Sequence, residues 1–255
     1  VLKAAQGLYE THKATSYPRT DSRYLPVSQF DEVPDVMQAL IRTDDAISGL
    51  VAGADTSMRG RAFNDAKVSA HHAIIPTTQV VDMAKMSEVE RNVYDAVRRH
   101  WIAQFYSAFT FDKTVIEVTC GKHTLEARGK VPKVEGWRIL FSGVEDAGKD
   151  DTGKDDEKDE EQALLPPVQP GELASIRDSK LLEKMTRPPP RFTEATLLSA
   201  MENVARFVQE PKFKQILKET AGLGTPATRA ATIKAAVDRQ FLVRKKKVLE
   251  STPKA

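Results

Sequence analysis

The sequence predicts a multidomain α+β protein, with helical units toward both ends and an antiparallel β segment between them. Three observations predict it. Apolar residues recur at helical spacing in the first hundred residues and again beyond residue 190, whereas between Phe111 and Phe141 the period falls to two. A proline-rich connector, Arg187-Pro188-Pro189-Pro190-Arg191, separates the β block from the last helices and is stiff by composition. At 255 residues and 40% hydrophobic, the chain has material for two domains or three small ones and is excluded from wholesale disorder.

Residues 1–13 place Leu2, Ala5, Leu8 and Tyr9 on one helical stripe, which ends before Thr15-Ser16-Tyr17-Pro18. Pro18 biases Tyr17 toward an extended conformation, so Tyr17 is expected on a strand or loop that closes at Pro26. A short helix is expected near Asp35–Leu40, loop over Gly49–Lys67, and one or two helical turns over Val68–Ile75, stopped by Pro76. The clearest helix runs from about Glu88 to Phe105. Ser87 and Glu90 form a capping box, and Val89, Val93, Tyr94, Val97, Trp101, Ile102 and Phe105 repeat along one face. Phe111 to Thr119 then reads as a strand, Cys120-Gly121-Lys122 as its turn, Thr124–Arg128 as the return and Gly136–Phe141 as a third strand. Beyond the connector, Thr193 caps a helix burying Leu197, Leu198, Met201, Val204 and Phe207. Thr225-Pro226 starts another helix, and Arg244-Lys245-Lys246-Lys247 forms a basic hairpin tip, an order that suggests a winged-helix unit.

Net charge is +2, but residues 145–161 hold ten acids against three lysines, a balance of −7, so the remainder carries +9. A positive body suits a polyanionic partner. The acidic, glycine-rich stretch, residues 143–162, holds too little apolar surface to offset the entropy of ordering and is expected to be a mobile loop. No apolar run reaches the roughly 18–20 residues of a membrane helix, and no leader-like segment opens the chain. The single cysteine, Cys120, excludes an intramolecular disulfide or a cysteine-built zinc site and suits a reducing cytosol. With Val1 at its start and Ala255 just past a strand-like run, the chain reads as a piece of a longer polypeptide.

Three clusters carry possible chemistry. In Ser16-Tyr17-Pro18-Arg19-Thr20-Asp21, an extended chain projects residues 17, 19 and 21 from one face, bringing a phenol, a guanidinium and a carboxylate together. A phenol of pKa about 10 is a poor nucleophile at neutral pH, and attack on phosphorus needs charge stabilisation of the kind a guanidinium fork supplies. The same pattern also describes a strand with a surface ion pair. In Ala70-His71-His72-Ala73-Ile74-Ile75-Pro76-Thr77, neighbouring histidines point about 100° apart on a helix and chelate one ion poorly. One can face a site, donating to phosphate or relaying a proton, or both can be satisfied core histidines. Gly222-Leu223-Gly224-Thr225-Pro226-Ala227-Thr228-Arg229 marks a helix start whose N–H groups favour an anion, with Thr228 and Arg229 as added donors, or simply a well-capped helix.

Taken together, the blocks Leu8-Tyr9-Glu10-Thr11-His12-Lys13-Ala14-Thr15-Ser16-Tyr17-Pro18-Arg19-Thr20-Asp21, Ala70–Thr77, Arg191–Leu198 and Gly222–Ala230 resemble, in order, the motifs of type IA DNA topoisomerases, most closely the bacterial topoisomerase III branch. The resemblance implies that Tyr17 is the nucleophile that cuts one DNA strand, forming a 5′-phosphotyrosyl bond and releasing a 3′-hydroxyl. One phosphoester replaces another, so resealing after strand passage needs no ATP. It further implies that Arg19 orients the scissile phosphate, Asp21 supports Arg19 and His71 contributes hydrogen bonds. Thr20, His72, Arg191, Thr228 and Arg229 would contact DNA.

The implied layout is a catalytic-tyrosine domain over 1–108, a β-rich arch segment over 109–176 with the acidic loop, and part of a helical DNA-binding base domain over 177–255. The family's metal-binding module precedes this segment, so Mg²⁺ is expected to be held by the rest of the polypeptide, and no metal site is expected here. The implied partners are single-stranded or negatively supercoiled DNA and the remainder of the same polypeptide, with no membrane. The implied place is the bacterial cytoplasm, at the nucleoid. As a fragment, the chain is expected to be a catalytically incomplete isomerase, unable to relax supercoils alone. The alternative reading is a non-catalytic single-strand-binding module.

Overall fold

The computed structural model describes residues 1–68, 70–142, 165–183, 185–186, 188–219 and 222–255. The predicted acidic loop at 143–162 lies outside the described residues, as does Arg187 of the connector.

Helix α1 (Leu2–Glu10) buries Ala4 and Leu8 and packs on the helix over Glu88–Ile102. Lys13, at φ 53°, turns the chain out of the helix and into the extended segment that carries Tyr17. Helix α2 (Val33–Thr43) is longer than the sequence suggested: Pro34 occupies its first turn, and Val33, Val36, Met37, Ala39 and Leu40 are buried along one stripe. The expected loop at 49–67 is interrupted by a short α3 (Ser48–Ala52) and a 3-10 turn at Asp65–Lys67.

Helix α4 (Glu88–Ile102) begins at the expected capping box and tightens into a 3-10 turn at Ala103–Phe105. Its buried face is Tyr94, Arg98, Trp101 and Ile102, while Val89 is exposed. Arg98 is tolerated inside because its guanidinium meets Asp44 at 2.6 Å and Asp95 at 2.8 Å. Hydrogen bonds from the Ser87 backbone N–H and hydroxyl, with a smaller contribution from His12, hold the Glu90 carboxyl below the ordinary glutamate range. A depressed carboxyl stabilises the fold above its unfolded pKa, and that contribution is lost as pH falls. Replacing Glu90 with Gln is therefore expected to flatten the acid limb of the melting-temperature profile below about pH 4.3. An unchanged limb in thermal melts would refute the assignment.

These elements enclose one core, formed by Leu8, Leu25, Val33, Leu40, Ile47, Phe63, Tyr94, Trp101, Ile102, Phe105 and Leu140. Strands β1 (Thr110–Cys120) and β2 (His123–Val134) extend from it as an antiparallel hairpin, turning at Gly121 (φ 61°). The ladder is irregular only between Thr110 and Phe111. The predicted third strand is not one: Gly136–Phe141 forms a 3-10 helix. Gly136 turns at φ 50°, Trp137 N–H donates to Ser107 O, and Leu140 drops into the core, so burial overrides the period-two pattern.

A second, smaller core joins Met201, Ile233 and Leu249. It is built from α5 (Glu194–Glu202), α7 (Pro226–Asp238) and the hairpin β3 (Leu242–Lys245) and β4 (Val248–Ser251). Helix α5 stops at Glu202, and Phe207, expected on its buried face, is exposed beyond a 3-10 turn at Val204–Arg206. Helix α6 (Pro211–Glu219) was not foreseen from the sequence. The basic hairpin is confirmed, with Lys246 at φ 55° in its turn. It is tied to the start of α5 by the Thr193–Val248 bridge and by Leu249 N–H donating to Phe192 O. Among the described residues, no helix is long and apolar enough to cross a membrane.

Candidate active site

The Tyr17 and His71 segments are held together by backbone pairing, not by helix packing. The one or two helical turns expected over Val68–Ile75 do not form among the described residues; residues 72–75 run without regular structure to an antiparallel bridge between Thr15 and Pro76. Ser16 N–H donates to Ile75 O at 2.9 Å, and Thr77 N–H donates to Ala14 O at 3.1 Å. The Ser16 hydroxyl accepts from Ile75 N–H at 3.0 Å and donates to Ala73 O at 3.2 Å. The Thr77 hydroxyl donates to Lys13 O at 2.6 Å. Ser16 and Thr77 are thus the clamps of the site. Their place beside each motif was visible in the sequence, but their pairing was not.

This clamp sets the Tyr17 ring against the His71 ring, centroids 4.7 Å apart and tilted by 33°, with Tyr9 edge-on at 5.6 Å. The contact is a stack; His71 makes no hydrogen bond to the phenol, so the imidazole orients the ring and remains free to reach a bound group. Of the five tyrosines, three are already committed. Burial pushes the Tyr94 phenol up, and the Tyr106 hydroxyl donates to Leu50 O at 2.6 Å, while Tyr24 accepts from Lys67 Nζ at 3.1 Å. Among the described residues the Tyr9 and Tyr17 hydroxyls have no hydrogen-bond partner, and of those two rings only Tyr17 lies against an imidazole.

Arg19 is exposed just beyond Tyr17 and has no carboxylate partner among the described residues. The expected support from Asp21 is not formed: Asp21 is exposed and no ion pair joins it to Arg19, because the chain bends at Pro18-Arg19 and never becomes the strand that would align residues 17, 19 and 21. Asp21 instead lines a cleft of about 560 Å³ with Thr20, Arg23, Ile74, Ile75, Trp101 and Glu202. The Thr20 hydroxyl accepts from Ser22 N–H at 3.0 Å and shapes this rim.

Several residues expected to hold DNA have other duties. His72 is half-buried, with Nδ1 at 2.7 Å from Ala73 O and Nε2 at 3.0 Å from Gln29. Arg229 is buried, 2% exposed, with Nε donating to Leu223 O at 3.1 Å and Nη1 paired with Glu202 at 3.3 Å. It is a strut between α5 and α7, not a free phosphate donor. Thr228 is exposed, but its hydroxyl accepts from Thr225 N–H at 2.9 Å in the cap of α7. Arg191 is exposed and lies 3.6 Å from Glu250. Among the described residues, no group of three or more His, Cys, Asp or Glu side chains converges to hold a metal ion.

A half-buried phenol stacked on an imidazole and followed by an exposed guanidinium with no ion-pair partner among the described residues has chemistry suited to phosphoryl transfer. The family model for DNA topoisomerase matches residues 1–255, and the chain belongs to that family. It is 38% identical to DNA topoisomerase 3 of Vibrio cholerae over 99% of this chain and 37% of that protein. It is 40% identical to DNA topoisomerase 3 of Salmonella typhimurium (99% and 37%) and 36% identical to that of Bacillus subtilis (96% and 33%). The chain therefore spans about a third of the length of these relatives. The full-length topoisomerase I structure from Thermotoga maritima shares the fold over 98% of this chain and 36% of its own, with a TM-score of 0.57 and 19% identity.

Proposed function

We propose that this chain is the strand-cutting part of a type IA DNA topoisomerase. The observation that carries the reading is the placement of Tyr17: half-buried, stacked on His71, its hydroxyl without a hydrogen-bond partner among the described residues, and two positions before the exposed Arg19. In the proposed reaction the Tyr17 oxygen attacks the phosphorus of one strand and loses its proton. The P–O3′ bond breaks, and the departing oxygen takes up a proton as a 3′-hydroxyl. The bond formed is a 5′-phosphotyrosyl ester of similar energy, so the reversal that reseals the strand needs no ATP. Arg19 is suited to hold the scissile phosphate and offset its developing charge. His71, exposed on its outer side, is suited to donate to the same group. The order of three helices followed by a basic hairpin fits a winged-helix-like base unit for DNA.

On this reading the Mg²⁺ requirement belongs to the part of the relatives' length not covered here, and the reaction takes place on DNA in the bacterial cytoplasm. The purified 255-residue chain alone is expected not to relax negatively supercoiled plasmid on an agarose gel; ATP-independent relaxation by it would show that no further module is needed. The decisive experiment supplies the missing N-terminal part in trans with a single-stranded oligonucleotide labelled at its 3′ end, and looks for label joined to protein. A non-catalytic single-strand-binding module would retain the oligonucleotide yet acquire no covalent label.

A further inference from the structure

We infer that the segment Arg59–Lys67 is a second nucleic-acid contact: an electropositive ledge that carries the backbone of a single strand past the Tyr17 site, with an unpaired base received by the adjoining cleft. The inference rests on the proposed function and names where the strand runs. It begins from a deficit, because Arg229, which the sequence suggested for gripping the strand, is buried in an ion pair, and Arg191 is already near Glu250. The positive charge facing solvent beside Tyr17 lies elsewhere. Arg23, Arg59, Arg61 and Lys67 are exposed, and among the described residues none makes an ion pair with a carboxylate; the Asp65 carboxylate in the same segment accepts from Val27 N–H at 2.9 Å. The backbone joins the two segments that carry them. Leu25 N–H donates to Ala62 O at 2.8 Å, Asn64 N–H donates to Leu25 O at 2.9 Å, and Leu25 and Phe63 form a parallel bridge. Arg61 stands in the turn that leads into this bridge, closed by Phe63 N–H donating to Gly60 O at 3.3 Å, and Arg23 lies two residues before the bridged Leu25. Lys67 lies over the Tyr24 ring, 4.8 Å from its centroid, and donates to its hydroxyl, which fixes an ammonium on the same ledge.

Unpaired cations held close together are costly unless a polyanion neutralises them, which is the electrostatic footprint of nucleic-acid binding. The choice of a single strand follows from the cleft. Arg23 and Ala62 sit on its wall, so ledge and cleft share a border, and its floor is apolar, formed by Leu25, Ile74, Ile75 and Trp101. Thr20, Asp21 and Glu202 supply polar edges. A stacked duplex has no base to offer such a recess, whereas a single strand can turn one in.

The test is fluorescence anisotropy of a 3′-fluorescein dT oligonucleotide titrated with the 255-residue chain over a range of salt. The triple variant R59A/R61A/K67A, all at exposed positions outside the proposed catalytic set, is expected to bind about tenfold more weakly at low salt, with a salt slope shallower by about 2. The variant R59K/R61K, which keeps the charge, is expected to bind like wild type. Wild-type affinity and slope in the triple variant would overturn the ledge, and so would equal losses in the alanine and lysine variants, which would mark a structural role. A duplex of equal length bound as tightly as the single strand would overturn the cleft. Failure of the wild-type chain to bind any oligonucleotide would instead count against the proposed function itself.

Discussion

Tyr17→Phe is expected to abolish covalent attachment of a 3′-labelled strand, below detection and at least about a thousandfold down, when the missing part is supplied in trans. The change removes one oxygen. The Phe ring retains the stack on His71 and the edge contact with Tyr9, which are made by ring atoms at 4.7 and 5.6 Å. The Ser16 and Thr77 clamps are untouched, so neither folding nor oligonucleotide binding should move, and both can be measured on the same preparation. This separates chemistry from architecture. Labelling that survives in Tyr17→Phe would transfer the nucleophile's role to another hydroxyl, and Tyr9, 5.6 Å away, would be the first to examine. Arg19→Ala is expected to reduce labelling by about a hundredfold while leaving the nucleophile in place; Arg19→Lys should restore only part of it, since an ammonium lacks the bidentate fork.

The largest expected effect on stability lies at Gly136. It sits at φ 50°, and a Cβ there would approach Ser107 O to 2.3 Å and Ala108 C and O to 2.8 Å. All three are backbone atoms and cannot swing aside as a side chain would. Gly136→Ala is therefore expected to cost about 3 kcal/mol, combining left-handed backbone strain of roughly 1–2 kcal/mol with overpacking of roughly 1–3 kcal/mol. The strain falls where β2 returns to the first core and where Leu140 enters it. A urea melt that follows the tryptophan fluorescence of Trp101 and Trp137 reports on this half of the molecule. Gly121→Ala is a suitable control: it shares the positive φ at 61° but meets nothing within 4 Å, so it should lose only the backbone part. Equal losses for the two variants would mean that the close approach at Gly136 contributes nothing.

Local signals in the chain were enough to place α4. Its capping box and periodic stripe are both interactions between near neighbours, and the structure reproduces them from Glu88 to Ile102. The same holds for the β1–β2 hairpin, whose alternation and Gly121 turn are local. Residues 136–141 and 68–75 were misread for the opposite reason. Leu140 is drawn into a distant core, and Ile75 is paired with Ser16 across nearly sixty residues, and neither long-range contact leaves a local periodicity. The side chains with chemical potential were likewise legible as residue types: Tyr17, Arg19 and His71 stand out in their motifs.

What the sequence determined by itself was the mixed helix and strand composition, the family and the residue types available at the candidate site, because these reside in residue order and spacing. Only the tertiary structure decided which of those groups face solvent. It turned Arg229 inward onto Glu202, left Asp21 apart from Arg19, engaged His72 with Gln29, and opened the ledge at Arg59–Lys67. Whether a guanidinium becomes a buried strut or a free phosphate donor depends on which carboxylate the fold brings within reach, and that partner is set by contacts between segments far apart in the chain.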